Sequence, residues 1–450
     1  MRRVFTAALI LSLAILLIAG KIVGYVTDEY GSLTTACVRV KSEAFLKTTY
    51  TDWNGKFEIE LPRGVYELEV SKGPEYERMT IDLKVEKDDQ KEIWVELRRI
   101  VDLRRMGWFG GDAHLHTTYS DGRQGVEQVA LACSAVGLSW AFLTDHNTVM
   151  GKNEWLSLSN RGILTILGQE VTTKKGHLNA LGIKELVEWE PADTDEDFER
   201  IFSKIRSQGG LVMIAHPFDP KNPFEKLHVQ DFDLIEIWNG GAPPLVRRMG
   251  NVEAVEYWYG LLNKGKRIPG IANSDCHDVF SSYSMLGILP IETVVQMLQG
   301  EIGDQEMLEY IVENEEWMRK WVLYGLLPGT PRTYVKVKEL TAENILESLK
   351  NGRSFMTNGP ILLVDVNGVG PGEVVPASDR LQLNIIVASN VPVNSLRVIQ
   401  GGKTVYLLNF PDRHSLKCTL EVDPKDGDWL IVEVSGEFPV WTLTNPVYLR

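Results

Sequence analysis

Cysteine is scarce in this 450-residue sequence: Cys37, Cys133, Cys276 and Cys418 are its only four, they are widely scattered, and no two form a C-x-x-C pair. That spacing signals neither a zinc ribbon nor a disulfide framework, and it reads most of the four as buried free thiols. A basic surplus is also missing. Lys and Arg total 47 against 61 Asp and Glu, for a formal net charge of −14. No run of Lys or Arg interleaved with aromatics offers a track for a polyanion, so long nucleic acid is disfavoured as a partner. Fixed-period repeats and low-complexity tracts are absent as well, which excludes a solenoid.

One long apolar run is present. Met1-Arg2-Arg3 precedes residues 4–20, which no polar stripe interrupts, so an amphipathic helix of the first domain is excluded. Residues 1–20 read as a signal peptide or an N-terminal membrane anchor, and the chain as secreted or otherwise extracytoplasmic. Leu17-Ile18-Ala19-Gly20 carries no clean small-x-small cleavage site, and the run is near the lower length limit for a span, so both alternatives stay open.

The length fits about three domains of roughly 150 residues each. Residues 21–100 alternate with period two, as in Lys56-Phe57-Glu58-Ile59-Glu60-Leu61 and Val65-Tyr66-Glu67-Leu68-Glu69-Val70. With turns at Asp52-Trp53-Asn54-Gly55 and Pro62-Arg63-Gly64, they predict an antiparallel β-sandwich. After Gly107, short apolar runs alternate with amphipathic stretches, the rhythm of βα repeats. Seven strands are expected, ending near Asp112-Ala113-His114, Leu143-Thr144-Asp145-His146, Leu167-Gly168-Gln169-Glu170, His177-Leu178-Asn179-Ala180, Ile214-Ala215-His216, Ile237-Trp238-Asn239 and Ser274-Asp275-Cys276-His277. A helix is predicted over 194–207, with Phe198, Ile201, Phe202 and Ile205 on one stripe. Residues 301–350 read as helical, their Trp317, Trp321 and Tyr324 packing on the barrel core in preference to covering the site. From residue 360 onward alternation returns at 381–387, 429–434 and 441–448, predicting a second sandwich over 360–450.

Six of the eight histidines sit at these expected strand ends, each in a short motif beside an acid or another histidine. In His114-Leu115-His116 the i, i+2 spacing puts both imidazoles on one strand face, and Asp275-Cys276-His277 repeats that geometry with Cys276 facing away. Asp121, His146, Glu170, His177 and His216 bring the total to nine nitrogen and oxygen ligands. Six imidazoles and three carboxylates gathered in one place are costly as packing, because buried charge must be paired. Bound metal resolves that cost, and histidine with carboxylate and no thiolate suits Zn, Mn or Fe.

Together, His114-x-His116-x4-Asp121-Gly122, Thr144-Asp145-His146, Glu170, His177, Ala215-His216-Pro217 and Asp275-x-His277 resemble the PHP (polymerase and histidinol phosphatase) superfamily over residues 107–359. Gly176-His177-Leu178-Asn179-Ala180-Leu181-Gly182, Glu236-Ile237-Trp238-Asn239-Gly240 and Thr357-Asn358-Gly359-Pro360 resemble its CehA/McbA-like branch. Gly24-Tyr25-Val26-Thr27-Asp28 and Thr51-Asp52-Trp53-Asn54-Gly55-Lys56-Phe57 resemble a carboxypeptidase-regulatory-like module, which implies a spacer or stabilising role. The implied fold is α/β, a distorted (βα)7 barrel flanked by an N-terminal and a C-terminal all-β sandwich. The implied cofactors are two or three divalent metal ions. His114, His116, Glu170 and Asp275 would hold one, Glu170 would bridge to a second completed by His177 and His216, and Asp121, His146 and His277 would hold a third.

Glu170 and Asp145 are the expected catalytic residues, Asp145 as an orienter of His146 or as the cap of a loop. Hydrolysis by hydroxide held between metals follows, with small phosphoesters or nucleotides the preferred substrates. Exonuclease-type phosphodiester cleavage and carbamate or amide hydrolysis use the same chemistry, and a non-enzymatic cell-surface binding module is the alternative from another class. Arg123, Lys174 and Lys175 lie near the motifs and read as solvated surface charge. Nothing in the sequence fixes the oligomeric state.

Overall fold

A computed structural model describes residues 19–42, 45–229, 231–240, 250–280, 327–376, 378, 380–424, 427–437 and 439–449. The leader or anchor expected over 1–20 lies outside the described residues up to 18, as does the helical stretch expected from 301 as far as 326, with Trp317, Trp321 and Tyr324. Among the described residues, no helix is long and apolar enough to cross a membrane.

The first seven strands are β1 (Ala19–Thr27), β2 (Cys37–Ser42), β3 (Phe45–Tyr50), β4 (Lys56–Pro62), β5 (Gly64–Ser71), β6 (Met79–Val85) and β7 (Gln90–Glu96). They form a three-stranded sheet, β4-β1-β7, and a four-stranded sheet, β3-β2-β5-β6. Alternation decides which face is inside: in β4 Phe57, Ile59 and Leu61 are buried while Glu58 and Glu60 are exposed. Residues of both sheets share one apolar core. Polar contacts tie this unit to the rest of the chain. Thr35 Oγ1 lies 2.9 Å from Ser134 Oγ, Lys72 Nζ donates to Ser134 O at 3.1 Å, and Tyr50 donates its hydroxyl to the carbonyl of Val279.

The centre of the chain supplies β8 (Trp108–Asp112), β9 (Trp140–Leu143), β10 (Leu164–Thr173), β11 (Gly176–Leu181), β12 (Leu211–Ile214), β13 (Leu234–Asn239) and β14 (Gly270–Asn273), neighbours in that order. Between them run α1 (Val126–Ala135), α2 (Lys152–Ser157), α3 (Asp195–Ser207) and α4 (Asn251–Asn263). α3 starts at a capping box in which Thr194 and Asp197 satisfy each other's backbone N–H groups, and it buries Phe198, Ile201, Phe202 and Ile205. A plain βα rhythm is not what the strands follow throughout. β10 turns straight into β11 as an antiparallel hairpin, and β11 pairs antiparallel with β12. The turn closes at Gly176, whose φ of +98° a side chain would resist and whose Cβ would strike Phe224 Cα. Beyond the first and last of these seven strands the chain comes back together. Leu115 and Cys276 form a parallel bridge, and the N–H of Ala113 donates to Asn273 Oδ1 at 2.9 Å.

β15 (Arg332–Lys336) and β16 (Ser354–Thr357) continue the same sheet outward from β8, with α5 (Ala342–Lys350) between them. The expectation that 301–350 is helical therefore fails at 332–336, where the chain pairs between β8 and β16. It runs on through β17 (Ile361–Val366), β18 (Leu381–Gln400), β19 (Lys403–Val422), β20 (Trp429–Ser435), β21 (Trp441–Thr444) and β22 (Val447–Tyr448), making 15 strands in all. Pairing of β16 with β21 therefore crosses the boundary the sequence pattern places at 359/360. The strand expected over 441–448 is interrupted at Asn445-Pro446, where proline has no N–H for a ladder.

Candidate metal centre

Six segment ends deliver the nine expected ligands to one place. Beyond β8, Ala113 and Leu115 go into two apolar cores while His114 and His116 reach the Glu170 carboxylate. Gly122 allows the following loop to fold back, because a Cβ there would lie 2.6 Å from the His116 carbonyl carbon. That return brings Asp121 beside His116, with Nδ1 and Oδ1 3.8 Å apart. His216 and Asp275 hold positive φ values of 24° and 52°, a conformation non-glycine residues rarely adopt.

Glu170 is the hub. Its Oε1 lies 2.9 Å from His177 Nδ1 and 3.1 Å from His216 Nε2. Its Oε2 lies 3.1 Å from His114 Nε2, 3.2 Å from His116 Nε2 and 3.1 Å from His146 Nδ1. Asp275 Oδ1 approaches His114 Nε2 at 3.3 Å and His116 Nε2 at 3.1 Å, and Asp121 Oδ1 approaches His277 Nε2 at 3.2 Å. Three sets have ligand atoms close enough to share an ion: His114, His116, Glu170 and Asp275; His116, Asp121, His146 and His277; and His146, Glu170 and His177. They interlock more than the sequence pattern implies, since His116 and His146 each belong to two, and His146 stands with Glu170 and His177 where the resemblance implies His216; His216 falls in none of the three. The sets also differ in exposure. The side chain of His114 is fully buried, whereas Asp121 is 57% and His277 36% exposed.

The donor chemistry fits divalent metal. His114 Nε2, both ring nitrogens of His116, His216 Nδ1, Glu170 Oε2 and Asp275 Oδ1 are buried without a hydrogen bond, although several lie within contact distance of one another. Imidazole nitrogens and carboxylate oxygens left without hydrogen-bond alignment, in a place water does not reach, are costly unless a cation meets them. Electrostatics agree. Burial pulls the His116 and His216 imidazoles down, but Glu170, joined at His116 by Asp275, outweighs it and lifts both to about 9. Burial pushes the carboxyls of Glu170 and Asp275 up, and the surrounding imidazoles, His114 foremost, hold both well below the usual carboxylate range.

No protein-family model matches the chain. A 142-residue stretch is 28% identical to an uncharacterized protein of Methanocaldococcus jannaschii, covering 28% of this chain and 80% of that one. Among solved structures, a two-domain protein of Bacteroides vulgatus, described as containing a predicted PHP-like metal-dependent phosphoesterase, aligns over 73% of this chain and 90% of its own at 17% identity and a TM-score of 0.38. An amidohydrolase of Chromobacterium violaceum, with bound sulfate and no metal, covers 37% of this chain and 87% of its own at 16% identity and a TM-score of 0.29. Overlaps this loose leave the chemistry to the cluster itself.

Around the cluster, Asp145 acts on the loop. Its Oδ1 accepts from Thr117 N at 2.7 Å and Ser120 Oγ at 2.6 Å, and its Oδ2 accepts from Thr117 Oγ1 at 2.7 Å. Asp145 thus braces the segment between His116 and Asp121, the loop-capping alternative, and has no hydrogen bond to His146. The His146 ring instead meets Thr172 Oγ1 at 2.5 Å. Cys276 is buried in an apolar core, consistent with its facing away. Lys175 pairs with Glu225 at 2.8 Å and Arg123 with Asp278 at 3.4 Å.

Two buried acids escaped the sequence reading of the site. Asp112 accepts from the N–H groups of His114 at 3.2 Å, Ser274 at 3.3 Å and Gly329 at 2.7 Å. Burial pushes its carboxyl up to about 6. Glu236, fully buried, stands 3.2 Å behind the His114 ring. The sequence signal for Glu236 is a single acid inside Leu-Ile-Glu-Ile-Trp, where every neighbour is core.

Proposed function

We propose that this chain is a metal-dependent hydrolase of the PHP type, most active on small phosphoesters or mononucleotides, with two or three divalent ions held by the nine residues around Glu170. The observation that carries the reading is the set of four buried atoms, His114 Nε2, His116 Nε2, Glu170 Oε2 and Asp275 Oδ1, in which each ring nitrogen lies within 3.3 Å of both carboxylate oxygens and none makes a hydrogen bond. The site would sit at one mouth of a distorted barrel with a β-sandwich on either side, and residues 1–20 would direct the chain out of the cytoplasm.

Nitrogen and oxygen donors without thiolate favour Zn, Mn or Fe. When bound, such ions supply an acidified water and a positive field for charge that develops on oxygen. The chain's own residues divide the remaining work. Glu170 keeps five imidazoles within contact distance and orients them. His114, His116 and Glu170 form the buried floor, with Asp275 half-buried at its edge. Asp121, His146 and His277 form the solvent-facing rim, where an anionic ester can enter. The formal charge of −14 repels a polynucleotide over roughly 8 Å at physiological ionic strength, whereas a single phosphate needs only to reach the rim.

The test is a substrate series on metal-restored protein: phosphomonoesters, phosphodiesters, mononucleotides, single-stranded DNA and carbamates, at low and high salt. Higher kcat/KM on small phosphoesters than on DNA is expected. Faster turnover of long strands, falling as salt rises, would replace this reading with a nuclease, and turnover of carbamates alone would move it to amide chemistry.

A further inference from the structure

Behind the nine expected ligands lies a second layer centred on one residue. Glu236 lies on β13, itself fully buried, and four nitrogen groups surround its carboxylate. Its Oε1 is 3.2 Å from His114 Nδ1 and accepts from Asn273 Nδ2 at 2.8 Å. Its Oε2 accepts from the backbone N–H of His216 at 2.8 Å and from Asn239 Nδ2 at 3.0 Å. The same Asn239 Nδ2 also donates to Asp275 Oδ2 at 3.1 Å. Two ligands from different segments, His114 after β8 and His216 after β12, thus meet Glu236, and a third, Asp275 after β14, is tied to it through Asn239.

We infer that Glu236, extended by Asn239, is the positioning residue of the metal centre: it fixes the tautomer of His114, holds the backbone of His216, and selects which oxygen of Asp275 faces the ions. This rests on the metal-dependent reading above and adds to it a residue that touches no ion itself.

Each part follows from donor and acceptor rules. A carboxylate accepts, so the ring nitrogen of His114 that faces Glu236 carries the proton, and the Nε2 lone pair is left for the cluster, where it stands buried and unpaired. His216 sits at φ 24°, and the bond from its N–H to Glu236 Oε2 helps hold a conformation the backbone would otherwise leave. Asp275 sits at φ 52°. With Oδ2 occupied by Asn239, its Oδ1 is the atom within 3.3 Å of both His114 and His116.

Glu236→Gln keeps the shape and removes the pattern. An amide offers one oxygen and one NH2, so a donor would face either the His114 N–H or the pair formed by the His216 N–H and Asn239. The expected loss for a lost outer partner is about 10- to 100-fold in metal affinity. The measurement is Co2+ titration of chelator-treated protein, read by the visible ligand-field spectrum and by the rise in Tm that Co2+ produces. Wild type should bind with a defined spectrum. Glu236→Gln should need 10- to 100-fold more Co2+, give a changed spectrum and lose much of the Tm rise, while its metal-free Tm falls less. Asn239→Ala, which leaves the backbone bonds of residue 239 with Asn251 in place, should weaken binding in the same direction and serves if the first variant does not fold. Wild-type affinity and spectrum in both variants would overturn the assignment of Glu236. Absence of Co2+ binding in the wild type would instead remove the metal-dependent reading on which it stands.

Discussion

Replacing Glu170 with glutamine tests the cluster as an electrostatic unit, before any metal is added. The Glu170 oxygens lie between 2.9 and 3.2 Å from five imidazole nitrogens. At such separations a charge pair in an effective dielectric near 20 is worth about 5 kcal/mol, and removing one partner of a buried pair costs roughly 3–5 kcal/mol after its desolvation is counted. For a unit of 150 to 250 residues that is a fall in Tm of roughly 6–20 °C. The cost must depend on pH. His116 and His216 are lifted to about 9, so the stability they contribute is complete below the unfolded value near 6.5 and is lost as pH rises through 9. Thermal unfolding of chelator-treated wild type and Glu170→Gln should show the large gap at pH 6, with a clearly smaller one at pH 10, where these two imidazoles are neutral. A gap of the same size at both pH values, or a gap near zero at pH 6, would refute the charge network.

Three further outcomes follow from the same geometry. Metal affinity of the wild type should rise between pH 6 and 9, because protons on His116 and His216 must leave before their nitrogens can serve as ligands; calorimetry in buffers of different ionisation enthalpy should register the released protons, and pH-independent binding would contradict it. Asp145→Ala should free the Thr117 to Ser120 segment and weaken only the rim ion, leaving the buried floor loaded; loss of all metal would give Asp145 a larger role than bracing a loop. A chain beginning at Val101 loses the Tyr50 bond to Val279, two residues past His277, so it should unfold at lower temperature while keeping most of its turnover, and a large loss of kcat would give the N-terminal sheets a part in catalysis.

Much of this centre is legible in the sequence because its ligands obey strand periodicity. His114 and His116 are spaced to share one strand face with Leu115 between them in the core; Asp275 and His277 have the same spacing around the buried Cys276, although Asp275 lies past the end of β14 at a left-handed φ of 52°. Glu236 is less legible, since its meaning comes from His114, His216 and Asn273 arriving from elsewhere; its solitary charge within an apolar strand and its place in the Glu236-Ile237-Trp238-Asn239-Gly240 motif mark it without showing what it touches. The antiparallel hairpin of β10 and β11 also escapes the βα rhythm, since Thr173-Lys174-Lys175-Gly176 looks the same before a helix as before a tight turn. β19 escapes for a different reason. Most of its residues are half-buried or exposed and it carries Pro411, so the alternation that announces a strand is largely missing.

The central claim is that these nine residues hold metal that hydrolysis needs. Native mass spectrometry of the purified chain, paired with hydrolysis rates before and after exhaustive chelation, tests it most directly. At least two divalent ions per chain, and activity abolished by chelation and restored by added metal, is the expected result. A chain that carries no ion and keeps its full hydrolytic rate in chelator would contradict it.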